Sequence, residues 1–145
     1  MFINLIMIIF VVLYILIFIN GMRLQEERVN DIVEGNIRDI NYHISNLTKA
    51  FKIMTDDQKE KYEREDKAIS VEGSIANVYD ENDNIVVELS YSNKESIFCY
   101  ISKDNNDVEI EVSPKYSYNM KGFLKFKDSK ILLTNCEVKR YRVIH

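Results

Sequence analysis

The sequence is poor in the residues that most often carry chemistry: 145 residues include no tryptophan, one proline, four glycines, two histidines and two cysteines. Each scarcity excludes something. Cys99 and Cys136 lie far apart, and the histidines are His43 and the terminal His145, so no closely spaced thiolate and imidazole set is present to hold a metal ion. The four glycines never cluster, which removes the glycine-rich loop that cradles phosphates. Neither histidine has the setting of a catalytic base, because His43 falls in a helical stretch and His145 at a fraying end. Carboxylates such as Asp80 and Asp83 are plentiful, but in a hairpin loop they serve turn formation and solubility. No catalytic residue, metal ligand or cofactor is assigned, and a non-enzymatic protein is expected.

Charge is missing from one end. All 19 basic and 23 acidic residues lie from Arg23 onward, and Phe2 to Ile19 holds a single strongly polar residue, Asn4. That run of 18 residues would span about 27 Å as a helix, close to the hydrocarbon thickness of a bilayer. A cleavable secretory signal would carry a basic start and a small-x-small cleavage site. No Lys or Arg precedes this run, and Gly21 has Ile19 two places before it. Residues 1–22 are therefore expected to be an uncleaved signal-anchor, a single transmembrane helix whose partner is the lipid bilayer. Arg23 and Arg28 soon after it lean towards a cytoplasmic body by the positive-inside rule, although Glu26, Glu27, Asp31 and Glu34 dilute them.

About 120 residues remain, enough for one compact domain but not for a large enzyme with a deep cleft. A net charge of −4 lacks the basic excess of a general nucleic-acid binder. Its distribution is uneven: Ala68 to Glu111 carries ten acidic and two basic residues, and Val112 to His145 eight basic and two acidic.

Apolar residues then recur at Val33, Ile37, Ile40, Ile44, Leu47, Phe51 and Met54, in alternating steps of four and three that keep one stripe on one side of a helix. Residues 23–46 are read as a helical stalk. Its stripe either packs on the chain's own domain or pairs two stalks in self-association, and Gly35 costs about 1 kcal/mol in a helix interior. Thr55 followed by Asp56, Asp57 and Gln58 predicts a capped start to a further helix.

From Lys67 the helical period gives way to alternation. Two runs in ISVEGSIANVYDENDNIVVELSY flank a polar hairpin loop at Asp80 to Asn84. Ile97 to Ile101, Tyr116 to Phe126 and Ile131 to Val138 make three more strands, the last two joined through Asp128, Ser129 and Lys130. Five short strands suggest a small closed barrel, since closure removes exposed edges.

The elements LTKAFKIMTDDQKEKY, ISVEGSI, IFCYI, MKGFLKF and LLTNCEV, over about Leu47 to Val138, resemble the tRNA anticodon-binding-like OB-fold family of small, often membrane- or lipid-anchored bacterial and phage proteins. The chain departs from that pattern in having DVEIEVSPKYSYN where the family places a short helix and a glycine turn, with Pro114 near the position of that turn, and in lacking a cysteine in the fourth strand. The resemblance implies a fold and no transferable activity: an N-terminal transmembrane helix plus an α+β domain, with an amphipathic helix followed by a five-stranded OB-like β-barrel over residues 47–145.

In such a barrel the third and fifth strands are neighbours, so Cys99 and Cys136 either form a disulfide, stabilising by about 3 to 4 kcal/mol, or stand as two buried thiols. The disulfide and the resemblance lean towards an extracytoplasmic domain, against the arginines, and that placement is the one expected. Lys115, Tyr116, Tyr118, Lys121, Phe123, Lys125, Lys127 and Lys130 interleave cations with rings, as a single-stranded nucleic-acid face would. The same alternation describes any strand with one face in a core. A membrane-anchored binding module with a protein or peptide partner is therefore expected first, and a membrane-tethered single-stranded nucleic-acid binder second.

Overall fold

The structure is a computed structural model and describes residues 2–91, 95–105 and 116–143. The first helix, α1, runs unbroken from Phe2 to Glu34, through the apolar run and well past it. It stops at Gly35, whose φ of 77° lies in the left-handed region. There the amide of Asn36 donates to the Asp31 carbonyl (2.8 Å) and that of Gly35 to the Ile32 carbonyl (3.2 Å), the paired bonds of a Schellman terminus. The helical stalk expected over residues 23–46 therefore ends at Glu34. The chain turns back through a short strand, β1 (Asn41–His43), into α2 (Ile44–Ile53) and α3 (Asp56–Arg64).

Both later helices open on capping boxes: His43 with Asn46 starts α2, and Thr55 with Gln58 starts α3 as its sequence predicts. The apolar stripe is real, although no single helix carries it. Ile44, Leu47 and Met54 are in the core, and Val33, Ile37, Ile40 and Phe51 pack against it. A seam that would have joined two stalks is thus occupied within one chain.

Five strands follow: β2 (Ala68–Glu81), β3 (Asn84–Tyr91), β4 (Glu95–Ser102), β5 (Tyr116–Lys127) and β6 (Lys130–Val143). Their order is β2-β3-β4-β6-β5, and β5 pairs back onto β2, so the sheet closes into a barrel with β1 added in parallel along β2. Closure runs through a short parallel pairing of β4 with β6, at Phe98 with Leu132 and Cys99 with Leu133. In the tight β5–β6 turn, Asp128 and Ser129 both take left-handed φ (51° and 62°), the form of two-residue turn that matches strand twist.

Ile69, Val71, Ile75, Val87, Leu89, Ile97, Cys99, Ile101, Met120, Leu124 and Leu133 fill the interior, with Ile44 and Leu47 of α2 in the same cluster. Where β6 bulges, Asn135 has φ 50° and the register with β5 shifts between Lys121 and Phe123. Gly122 faces that bulge. A Cβ there would stand 2.6 Å from the Cys136 Sγ and 2.9 Å from the Thr134 carbonyl oxygen, so the close approach requires glycine.

The end of α1 is clasped to the barrel. Tyr62 donates its hydroxyl hydrogen to the Ile32 carbonyl (2.5 Å), and Lys67 Nζ donates to the Gly35 carbonyl (2.6 Å). Arg38 and the Tyr42 hydroxyl both donate to Asp31 (2.7 and 3.1 Å). Carbonyls that a helix end leaves without partners are thereby satisfied by the domain itself. Burial pushes the Tyr62 and Tyr42 phenols above their ordinary pKa, which keeps both neutral as donors.

Candidate interaction surface

On β4, Ile97, Cys99 and Ile101 point into the core, so alternation turns Phe98 and Tyr100 outward. Val87 and Leu89 of β3 do the same for Val86 and Glu88. Register then assembles two rows across the outside of the barrel. Tyr79, Val86 and Tyr100 are direct neighbours, and beside them lie Asn77, Glu88, Phe98 and Leu132. Val86 is fully buried although it is outside the core cluster, because the flanking tyrosines cover it. Tyr79 remains 39% exposed.

Acid frames these rings. Glu81 lies two residues beyond Tyr79 on the same face and interacts with Tyr100, whose phenol is raised above its usual pKa by burial first and by Glu81 and Tyr79 next. Among the described residues Lys130 reaches the face, with Nζ 5.3 Å from the Phe98 ring centre, within the range of a cation–π contact. A surface of rings, two carboxylates and one lysine suits partner groups that are themselves flat, amide-like or cationic.

The described residues among those expected to form a basic, ring-bearing face are divided between the core, the α3 contact and the outer side of β5. Tyr118 is in the core at 2% exposure. Lys125 is turned into the domain, where Nζ donates to the carbonyl of Tyr62 (2.8 Å) and pairs with Asp66 (3.0 Å). Lys121 and Phe123 share the outer side of β5, Lys121 opposite Glu137 and Phe123 opposite Thr134. Lys127 is exposed at the hairpin, and Lys130 turns towards β4. Tyr116 opens β5, and Lys115 lies outside the described residues. Sequence reasoning missed Phe98, Tyr100 and Tyr79, because IFCYI was taken as one apolar strand. Its alternation, set against the β3 hairpin register, would have separated the rings from the core.

Cys99 and Cys136 are free, buried thiols. They are close enough that the hydrogen bond with Cys136, reinforced by burial, holds the Cys99 thiol well above the ordinary cysteine pKa. The Cys136 thiol donates to the Leu133 carbonyl (3.2 Å). The disulfide alternative is therefore not the form described, and the pair acts as two small apolar side chains.

A closed five-stranded barrel of this order, entered by a helix and left with an open face on its second and third strands, defines an OB-fold module. No protein-family profile matches the chain, so the narrower resemblance rests on its short motifs alone. No curated protein matches it either. Solved structures similar to it include a chain of the S. pombe Stn1–Ten1 complex, at 10% identity and TM-score 0.41, over 54% of this chain and 58% of that one. A chain of a replication protein A heterotrimer bound to single-stranded DNA aligns at 10% identity and TM-score 0.37, over 54% and 57%. An OBody bound to hen egg-white lysozyme aligns at 11% identity and TM-score 0.39, over 58% and 86%. This chain thus spans little more than half the length of the first two.

Proposed function

We propose that this protein is a single-pass membrane protein holding an OB barrel beside the bilayer as a non-enzymatic binding module, with a protein or peptide partner on the outer face of β2, β3 and β4. The observation that carries the reading is how the chain divides its apolar surface. The core closes without residues 2–24, every one of which is exposed, and the apolar window of α1 is 0% buried. Large exposed apolar surface of this kind needs a partner of its own, and for an uncharged helical run of 18 residues that partner is lipid. The second apolar surface, the rings of Tyr79, Phe98 and Tyr100, is too small and too acidic for lipid. Glu81 and Glu88 would repel a phosphate backbone and attract a cationic or amide-rich peptide.

A second reading, binding of single-stranded nucleic acid, is favoured by Lys130 over Phe98, a cation beside a stacking ring. Titration of the full chain in lipid nanodiscs with labelled oligonucleotides at low and moderate salt separates the two. The first reading expects no salt-dependent binding. Binding that weakens with salt and is lost in Phe98→Ala and Lys130→Ala would establish the second. The anchor is tested in the same preparation: the chain should stay with membranes through alkaline carbonate extraction, and release would refute it.

A further inference from the structure

Helix α2 runs back along α1 towards the membrane. Asn46 near its start donates to the Gln25 side chain (2.7 Å), and Ile53 at its end lines a groove together with Phe18, Gly21 and Met22. Seven residues separate Asn46 from Ile53 and seven separate Gln25 from Phe18, about 10 Å along each helix. Ile53 is therefore level with the last turn of the apolar run. It is 61% exposed, an isoleucine left uncovered by a domain that buries Ile44, Leu47 and Ala50 of the same helix and packs Phe51 against its core. Because the far end of α1 is clasped by Tyr62 and Lys67, this level is fixed by the fold.

The groove between the two helices has a volume of about 960 Å³. Phe18, Met22 and Val29 of α1 and Ile53 of α2 are its apolar lining, and Lys49 and Lys52 line it from α2. Lys49 is exposed; Lys52 shares Glu95 at 3.4 Å while 69% of its side chain stays accessible. Glu26 is the acid in the lining. By the same spacing from the Asn46–Gln25 bond, Lys49 is level with Met22 and Lys52 with Ile19, at the end of the apolar run, from where a lysine stem carries its ammonium group up to headgroup phosphates. Apolar walls with two such ammonium groups are complementary to one molecule that has both parts.

We propose that this groove is a binding site for an anionic phospholipid of the host bilayer, with an acyl chain along Phe18, Met22 and Ile53 and the phosphodiester against Lys49 and Lys52. The inference rests on the membrane-anchored reading and adds to it. α2 is then an interfacial element, and one lipid fills the wedge between anchor and domain.

The chain has no tryptophan, so a single introduced indole reports its own surroundings. The full chain carrying Ile53→Trp is placed in nanodiscs of mixed phosphatidylcholine and phosphatidylglycerol, with one or the other lipid brominated high on the acyl chain. The expected result is quenching of the indole, at least about twofold stronger by brominated phosphatidylglycerol at equal mole fraction. Adding Lys49→Gln and Lys52→Gln should bring the ratio to one. A second chain carrying Leu13→Trp reports the span. Quenching at Leu13→Trp without quenching at Ile53→Trp would overturn the lipid site and leave the anchor standing. Equal quenching of Ile53→Trp by both lipids, unchanged by the lysine variants, would overturn the anionic site. Quenching at neither position would remove the anchor and the site together.

Discussion

The outer sides of β5 and of β4 look alike in sequence and do opposite things. On β5 the outer side ends in a clasp, where Lys125 is covered by α3 and donates to its carbonyls, while Phe126 on the inner side packs against Phe51 and Tyr62 at ring separations of 5.7 and 5.4 Å. On β4 the outward rings are only partly covered: Phe98 has Lys130 over it and borders a groove with Thr48 and Phe51 of α2, and Phe98 and Tyr100 both stay half-buried. Side-chain type alone does not distinguish a binding face from a docking seam for the chain's own helix. Where α3 lands decides it.

Stability measurements can break or sharpen that contrast. The largest effect is expected beside the clasp, at Gly122→Ala, whose new methyl would meet the Cys136 sulfur and the Thr134 carbonyl. Overpacking there should cost about 2 kcal/mol or more in chemical denaturation. Combining it with Cys136→Ala should recover only part, since the carbonyl contact stays. Next, Lys125→Met should cost about 1 to 2 kcal/mol, because it strips cationic donors from two α3 carbonyls while its partner Asp66 is largely in water. A loss as small as that of an exposed lysine would mean that β5 has no clasp.

Tyr62→Phe removes one bond to α1 and should cost about 1 kcal/mol, with faster amide exchange at the end of α1. The same residue sets an alkaline limit. The folded phenols of Tyr62 and Tyr42 are raised above the ordinary value of 10.0, so above about pH 10 the unfolded chain gives up protons that the folded chain retains. Stability should be independent of these groups below that pH and fall as pH rises through it, less steeply in Tyr62→Phe. The smallest effects belong to the β4 side. Glu88→Gln and Tyr79→Phe, which keep the side-chain shapes and the cover over Val86, should change stability by no more than about 0.5 kcal/mol, as expected of polar groups kept for a partner.

Much of the fold is legible because alternation reports burial directly. The strand positions follow from Ile69, Val71 and Ile75, from Ile97, Cys99 and Ile101, and from the Asp128–Ser129 turn. The stripe from Val33 to Met54 likewise reports which residues are buried. It does not report that Gly35 ends a helix, because a glycine's helix cost and its helix-ending role look the same until the Asn36 and Gly35 amides find their carbonyls. The strand β1 is too short to alternate, and only its parallel pairing with Ser70, Val71 and Glu72 of β2 reveals it. The candidate face was harder to read for a related reason. Phe98 and Tyr100 lie in a strand of rings and aliphatic residues throughout, and the alternation that turns them outward has no polar residue to mark which side faces the core.

The central claim is that a partner takes the β2–β4 face while the chain sits in a membrane. A photo-reactive phenylalanine analogue replacing Tyr79, and separately Lys127, in the full membrane-embedded chain tests it most directly. Protein adducts should form from position 79 and fall sharply when Glu81→Gln and Glu88→Gln are added, while position 127 gives none. Adducts with nucleic acid, equal protein adducts from both positions, or none from position 79 would contradict the account.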